Sequence, residues 1–114
     1  MHELSIASSI IDSVTKEVKK HDVRSVYEIK LRIGELTAVV PDSLRFGFES
    51  LVKDTFLEHT QLTIETSKIE GECIDCKRGF TVENFNFICP HCSSKQVDII
   101  SGNELEILSI EIEK

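Results

Sequence analysis

The residues with the clearest chemistry are four cysteines in two pairs, Cys73-Ile-Asp-Cys76 and Cys89-Pro-His-Cys92, spaced C-x2-C-x12-C-x2-C. In an oxidising compartment such pairs are read as disulfides. In a reducing one, paired C-x-x-C turns point to a metal. Two cysteines three apart on a tight turn bring both sulfurs to one ion, and two such turns facing each other make a tetrahedron of thiolates, which suits zinc. Four protein ligands leave no open position for a reactive water, so a structural zinc is expected rather than a catalytic one. Iron in a rubredoxin-like site is the alternative metal. His91 stands inside the second pair, where it reads as a solvated knuckle residue beside a ligand, not as a fifth donor.

A second place for chemistry is the opening "MHELSIASS". A free amino terminus, a backbone amide and the imidazole of His2 follow one another along a short stretch of chain. Together they can form fused chelate rings, and planar nitrogen coordination favours Ni(II) or Cu(II). The Glu3 amide nitrogen, or a carboxylate folded nearby, is the candidate fourth donor. The competing reading of His2 is a polar residue at a frayed chain end. His21 and His59 read as a helix C-terminal cation and a loop residue.

These groups need elements to hold them. Residues 4–20 place Leu4, Ala7, Ile11, Val14 and Val18 at helical spacing, with Ile6 and Ile10 alongside. Residues 26–33 alternate, with Tyr27, Ile29, Leu31 and Ile33 on one side and Glu28, Lys30 and Arg32 on the other, the signature of a half-buried strand. Pro41-Asp42-Ser43 opens a second helix, with Asp42 as its cap and Leu44, Phe48, Leu51 and Val52 on one face. Residues 61–69 and 104–112 read as further strands. The last has a phase slip between Leu105/Ile107 and Leu108/Ile110/Ile112, which predicts a bulge or a strand covered on both sides near residue 107.

The order is helix, strand, helix, strand, cysteine module, strand. It implies an α+β fold, with two helices packed on a small, mainly antiparallel sheet and a rubredoxin-like zinc-ribbon module inserted. The division expected is 1–70 plus 101–114 for the α/β domain and 71–100 for the zinc-binding module. The module's own core (Phe80, Val82, Phe85, Phe87, Ile88) is thin, so the metal must stand in for buried apolar surface.

Composition narrows the function. The 114 residues are 40% hydrophobic and carry a net charge of −7, enough for one globular core and a poor match to a phosphate-backbone binder. Nucleic acid is therefore a poor partner. No apolar run approaches the ~20 residues that cross a bilayer, and the start lacks a secretory pattern, so a soluble cytoplasmic protein is expected. There is no nucleophile–base pairing and no phosphate-cradling glycine loop, so an enzyme is not expected and any energy-using step belongs to a partner. A zinc-ribbon protein-interaction adaptor without a nickel role is the rival reading.

The sequence resembles the HypA/HybF family of hydrogenase nickel-incorporation proteins. The matching stretches are "MHELSI", "GELTAVVPDSLRFGFE", the two cysteine pairs and "GNELEILSIEIE", in that order across the whole chain. The resemblance implies a nickel metallochaperone that helps mature [NiFe]-hydrogenase and, in some organisms, urease. Its partners would be a HypB-type GTPase and the hydrogenase large subunit, and the chain itself would be a monomer or weak homodimer. The family's nickel ligand falls on His2, with Glu3 adjoining, and its zinc ligands on Cys73, Cys76, Cys89 and Cys92. Zinc would be resident and Ni(II) transient cargo. Some relatives carry a histidine directly after each cysteine pair; here those positions are Lys77 and Ser93. Asp42, between the first strand and second helix, is a further nickel-ligand candidate, though its expected role is the cap.

Overall fold

The computed structural model describes residues 3–113. Helix α1 (Glu3–Lys19) leads to strand β1 (Ser25–Gly34), a 3-10 turn at Glu35–Thr37, helix α2 (Pro41–Val52) and strand β2 (Gln61–Ser67). Three short strands follow, β3 (Glu70–Cys73), β4 (Gly79–Thr81) and β5 (Val97–Ser101), and the chain ends on β6 (Leu105–Glu113). The strands form two sheets, ordered β2-β1-β6 and β4-β3-β5. The chain is thus α+β, two helices with small sheets, as its patterning implies.

Two compact units divide the chain. The first takes residues 1–32, 39–65 and 106–114, and the second residues 33–38 and 66–105. In the first, α1 buries Ile6, Ala7, Ile10 and Val14, and α2 buries Leu44, Gly47, Phe48 and Val52. The buried stripe of α1 is centred nearer Ile6 and Ile10 than the spacing suggested, and Leu4 is 52% exposed. β1 contributes Val26, Ile29 and Leu31 to the core. Tyr27, expected to point inward with them, is 54% exposed and donates its hydroxyl to a Glu113 carboxylate oxygen.

The pairing of β1 with its neighbours can be traced through hydrogen bonds. Arg24 N–H donates to Glu113 O at one end and Gly34 N–H to Glu104 O at the other, so β1 and β6 run antiparallel. Beside β2, Thr60 Oγ1 donates to Val26 O and Arg32 Nη2 to Glu65 Oε1, so β1 and β2 run parallel across the α2 crossover. β6 is an edge strand with no fully buried residue. Of the two readings of its phase slip, covering on both faces does not occur, while a bulge fits the register: the Arg24–Glu113 and Gly34–Glu104 pairs are out of step by one residue, and the half-buried positions shift from Ile107 to Ile110 and Ile112.

α2 begins two residues earlier than a cap at Asp42 would place it. Val40 is the N-cap, without a side-chain hydrogen bond, and Pro41 occupies the first turn, where its missing N–H costs nothing. Asp42 is consequently not a cap. Its side chain is 99% exposed and lies 3.9 Å from Arg45 Nη1.

In the second unit, β3 pairs antiparallel with both β4 and β5. The stretch read as one strand over 61–69 ends at Ser67, and the chain re-enters extended structure at Glu70 in the other sheet. Of the apolar residues assigned to the module's core only Val82 is buried, while Phe85 and Ile88 are exposed. Ile69, Cys73 and Cys89 supply the rest.

Candidate metal centre

β3 delivers Cys73 at its C-terminal end, and the turn after it carries Cys76. Lys77 N–H donates to Cys73 O at 2.9 Å, and Cys73 N–H donates to Arg78 O at 2.9 Å. The second turn repeats the first: Ser93 N–H donates to Cys89 O at 2.8 Å, and Cys89 N–H to Ser94 O at 2.9 Å. Both turns close on a residue with positive φ, Lys77 at 65° and Ser93 at 64°. A left-handed residue lets the chain double back so that two sulfurs three positions apart face one point. Lys77 and Ser93, the residues directly after each cysteine pair, are thus the hinge residues.

The four Sγ atoms lie within 4.8 Å of one another and form a cage without histidine or carboxylate among the described residues. Cys73 and Cys92 stand 3.5 Å apart, Cys76 and Cys89 3.6 Å. Zinc–sulfur bonds of about 2.3 Å in a tetrahedron require sulfurs about 3.8 Å apart. The spacing fits that requirement, and none of the four cysteines is in a disulfide. Cys73 and Cys89 are buried, Cys76 half-buried and Cys92 exposed.

Crowding separates the proton affinities. The Cys76 backbone N–H, donating to Cys73 Sγ at 3.4 Å, draws the Cys73 thiol down to about 6 against the opposing effect of burial. Cys92 is pushed up to about 12: the Ser94 amide acts to lower it but is outweighed by the contact with Cys73, by burial, and by the contacts with Cys76 and Cys89. Cys76 is also raised; the Arg78 amide lowers it, and burial with the Cys89 and Cys73 contacts prevails. One proton leaves readily and the next resist, because negative charge accumulates in a small volume. A divalent cation removes that resistance, so the donor set suits a thiophilic metal.

Sequence reasoning missed the supports around the cage. His91 N–H donates to Cys89 Sγ at 3.4 Å, matching the Cys76 donor on the other turn. Ser94 Oγ donates to an Asp75 carboxylate oxygen and so ties the two turns together. Such outer partners orient ligands; the signal available for Asp75 and Ser94 was only their placement within and just after the pairs. The His91 ring is exposed and lies 3.5 Å from Arg78 Nη1, through Nδ1. His21 lies 3.9 Å from Glu17, and His59 is 95% exposed. Glu3 is the first residue of α1. His2 lies outside the described residues.

Fold and cage define a small α+β protein in which one compact unit carries four cysteines able to hold a metal and the other carries two helices. The family model for HypA, described as hydrogenase/urease nickel incorporation metallochaperone, matches residues 1–112. The chain belongs to the HypA family. It is 42% identical to a hydrogenase maturation factor HypA of Desulfatibacillum aliphaticivorans, with 98% of this chain and 87% of that one covered. It is 38% identical to the factor of the same name from Prosthecochloris aestuarii, covering 99% of this chain and all of the relative. Among solved structures, it matches the solution structure of the Ni metallochaperone HypA from Helicobacter pylori at TM-score 0.70 and 32% identity, covering 98% and 97% of the two chains. A second HypA solution structure matches at TM-score 0.73 and 31% identity, covering 99% and 97%.

Proposed function

We propose that this chain binds Ni(II) at its N-terminus through His2, with Glu3 adjoining, and passes it toward [NiFe]-hydrogenase, with urease a further destination. The observation that carries the reading is the extent of the family match, which begins at residue 1 and so takes in His2 and Glu3. The cage supports it from the other side. Four sulfurs satisfy one zinc completely, so a cargo ion that must be released needs donors elsewhere. Zinc held by Cys73, Cys76, Cys89 and Cys92 supplies bonding energy to a unit with little apolar core. Residues 1–70 with 101–114 then serve as the nickel-binding domain and residues 71–100 as the zinc-binding module.

The chain's own residues supply binding and release, not catalysis. The imidazole must be neutral to coordinate, and the amine must lose its proton. A HypB-type GTPase provides the energy-using step, and the hydrogenase large subunit receives the metal, in the cytoplasm. No helix among the described residues is long and apolar enough to cross a membrane.

The test is a nickel titration of zinc-loaded, untagged protein beside His2→Ala and beside a form with a short N-terminal tag. Both changes are expected to weaken nickel binding and distort its planar visible spectrum while zinc content stays normal. Affinity is also expected to fall as pH drops through ~6.5, where histidine protonates. If all three proteins bind nickel alike, His2 and the terminal amine are not the ligands. A zinc-ribbon adaptor, the rival reading, predicts that outcome.

A further inference from the structure

The four cage sulfurs, which are all of the chain's cysteines, differ in access. Cys73 and Cys89 are buried, Cys76 is half-buried and Cys92 is exposed. The exposure of Cys92 belongs to its turn, since residues 90–93 are all open to solvent. A ligand sulfur is held as thiolate. A thiolate that solvent can reach is the form that electrophilic oxygen attacks. Cys92 also has a buried sulfur close behind it: Cys73 Sγ is 3.5 Å away, on the other turn. Cys76 and Cys89 form a second pair at 3.6 Å, again across the turns. The bond from Ser94 to the Asp75 carboxylate keeps the two turns facing each other.

We propose that Cys92 is the site where a hydroperoxide oxidises the loaded cage, ending in a Cys73–Cys92 disulfide, a reading that presupposes the zinc proposed for these four ligands. The Cys92 thiolate attacks the terminal oxygen of the hydroperoxide. A sulfur–oxygen bond forms, the oxygen–oxygen bond breaks, and the alkoxide or hydroxide that leaves takes a proton from water. The Cys73 thiolate then attacks the Cys92 sulfenic sulfur; a sulfur–sulfur bond forms and hydroxide leaves. Two thiolates give up two electrons, and the peroxide bond accepts them. A second hydroperoxide takes Cys76 and Cys89 through the same steps. Each turn is closed by two backbone hydrogen bonds of its own and moves its sulfurs as a unit, so the sulfurs that approach within 3.6 Å lie on facing turns. After the first disulfide the cage keeps two thiolate donors of four, too few for structural zinc. β3, β4 and β5 then lose the metal that stands in for their core. Disulfides in a reducing compartment are transient and redox-sensing, so a thiol reductant reverses the change.

The experiment uses the zinc-loaded full chain, hydrogen peroxide as the probe and no substitution. Zinc per chain is measured before peroxide is added, so an empty cage shows at the outset and refutes the zinc site itself, and this proposal with it. With zinc bound, a ~tenfold excess of peroxide is expected to release it to a chromophoric chelator, at a rate proportional to peroxide concentration, while a peroxide-free sample keeps its metal. Remaining thiols are alkylated and the chain is cut with trypsin. Cuts after Lys68, Lys77, Arg78 and Lys95 place Cys73 and Cys76 on one peptide and Cys89 and Cys92 on another. A disulfide across the turns joins the two peptides; one within a turn leaves them apart. The joined pair is expected, with the Cys73–Cys92 link formed first in fragment spectra. Dimedone present during oxidation is expected to label Cys92 ahead of the other three. Dithiothreitol with added zinc should restore the zinc content and the hydrogen-exchange protection of 70–101. Zinc retained against peroxide, peptides left apart, first labelling at Cys73, Cys76 or Cys89, or a loss that dithiothreitol does not reverse overturns the proposal.

Discussion

At the scale of single residues, two side chains offer direct tests. Tyr27 is the chain's one tyrosine, and there is no tryptophan, so its ionisation can be followed alone in the ultraviolet. Its hydroxyl donates to Glu113, which raises its pKa from 10.0, with burial and the nearby charge acting in the same direction. The neutral phenol is the form the fold favours. Its contribution is therefore fully present below the unfolded pKa and is lost as pH rises through the folded one. The titration midpoint is expected above ~10 in the wild type and to return toward ~10 in Glu113→Gln. Cys73 is the second case. It is buried and its sulfur accepts the Cys76 N–H, so Cys73→Ser leaves an incomplete cage around a group that cannot be hydrated. Zinc bound per chain should fall by metal analysis, and the melting temperature should drop with it. Unchanged values would refute a structural zinc.

At the scale of elements, two glycines respond in opposite ways to the same change. Gly47 lies inside α2, where a Cβ would meet Leu4 Cδ1 at 3.4 Å, Leu4 Cα at 3.8 Å and Ala7 Cβ at 3.9 Å, all ordinary contacts, the nearest with an exposed and movable side chain. Gly47→Ala should stabilise the protein by roughly 0.5–1 kcal/mol, because alanine loses less backbone entropy in a helix. Gly34 ends β1, where a Cβ would stand 1.9 Å from Gly102 O, inside the backbone of the approaching segment. Gly102 is itself backed by Ile69, whose Cα would lie 2.6 Å from a Cβ placed there, so that segment has little room to retreat. The same contact is bound by Leu36 N–H donating to Gly102 O at 2.8 Å. Gly34→Ala should therefore lower the melting temperature and detach the 33–38 segment, seen as new hydrogen exchange at Leu36, while Gly47→Ala raises the melting temperature. Neither effect was legible from glycine spacing alone. Gly34 could be read as a strand stop, but what it approaches depends on a residue 68 positions later.

At the scale of the whole molecule, the two compact units hold together by different means. The first buries a stripe from each helix against Val26, Ile29, Leu31 and Leu62. The second, among the described residues, buries only Ile33, Ile69, Val82, Cys73 and Cys89 as hydrophobic side chains. Removing zinc with a chelator should unfold β3, β4 and β5 while α1 and α2 persist at least in part. Hydrogen exchange should show fast amides at 70–101 and retained protection in 6–18 and 41–52. Equal loss of protection in both units would mean that the metal is not the second unit's substitute core.

The sequence by itself determined the elements whose signals are local. Helical spacing from Ile6 to Val14, alternation from Ile29 to Ile33, proline before α2 and the paired cysteines all act within a few residues, where backbone geometry decides which side chains share a face. The same locality made the metal centre legible, because each half of the cage is one tight turn. Tertiary structure decided what depends on distant chain. Tyr27 follows the strand's alternation yet is more than half exposed, since its neighbours are set by β6, 86 residues away through Glu113. The three short strands of the second sheet carry no clear period; β3 exists because β4 and β5 arrive on either side of it. The phase slip of β6 suggested a bulge or burial on both faces, but strand order, which no local pattern encodes, left it at an edge.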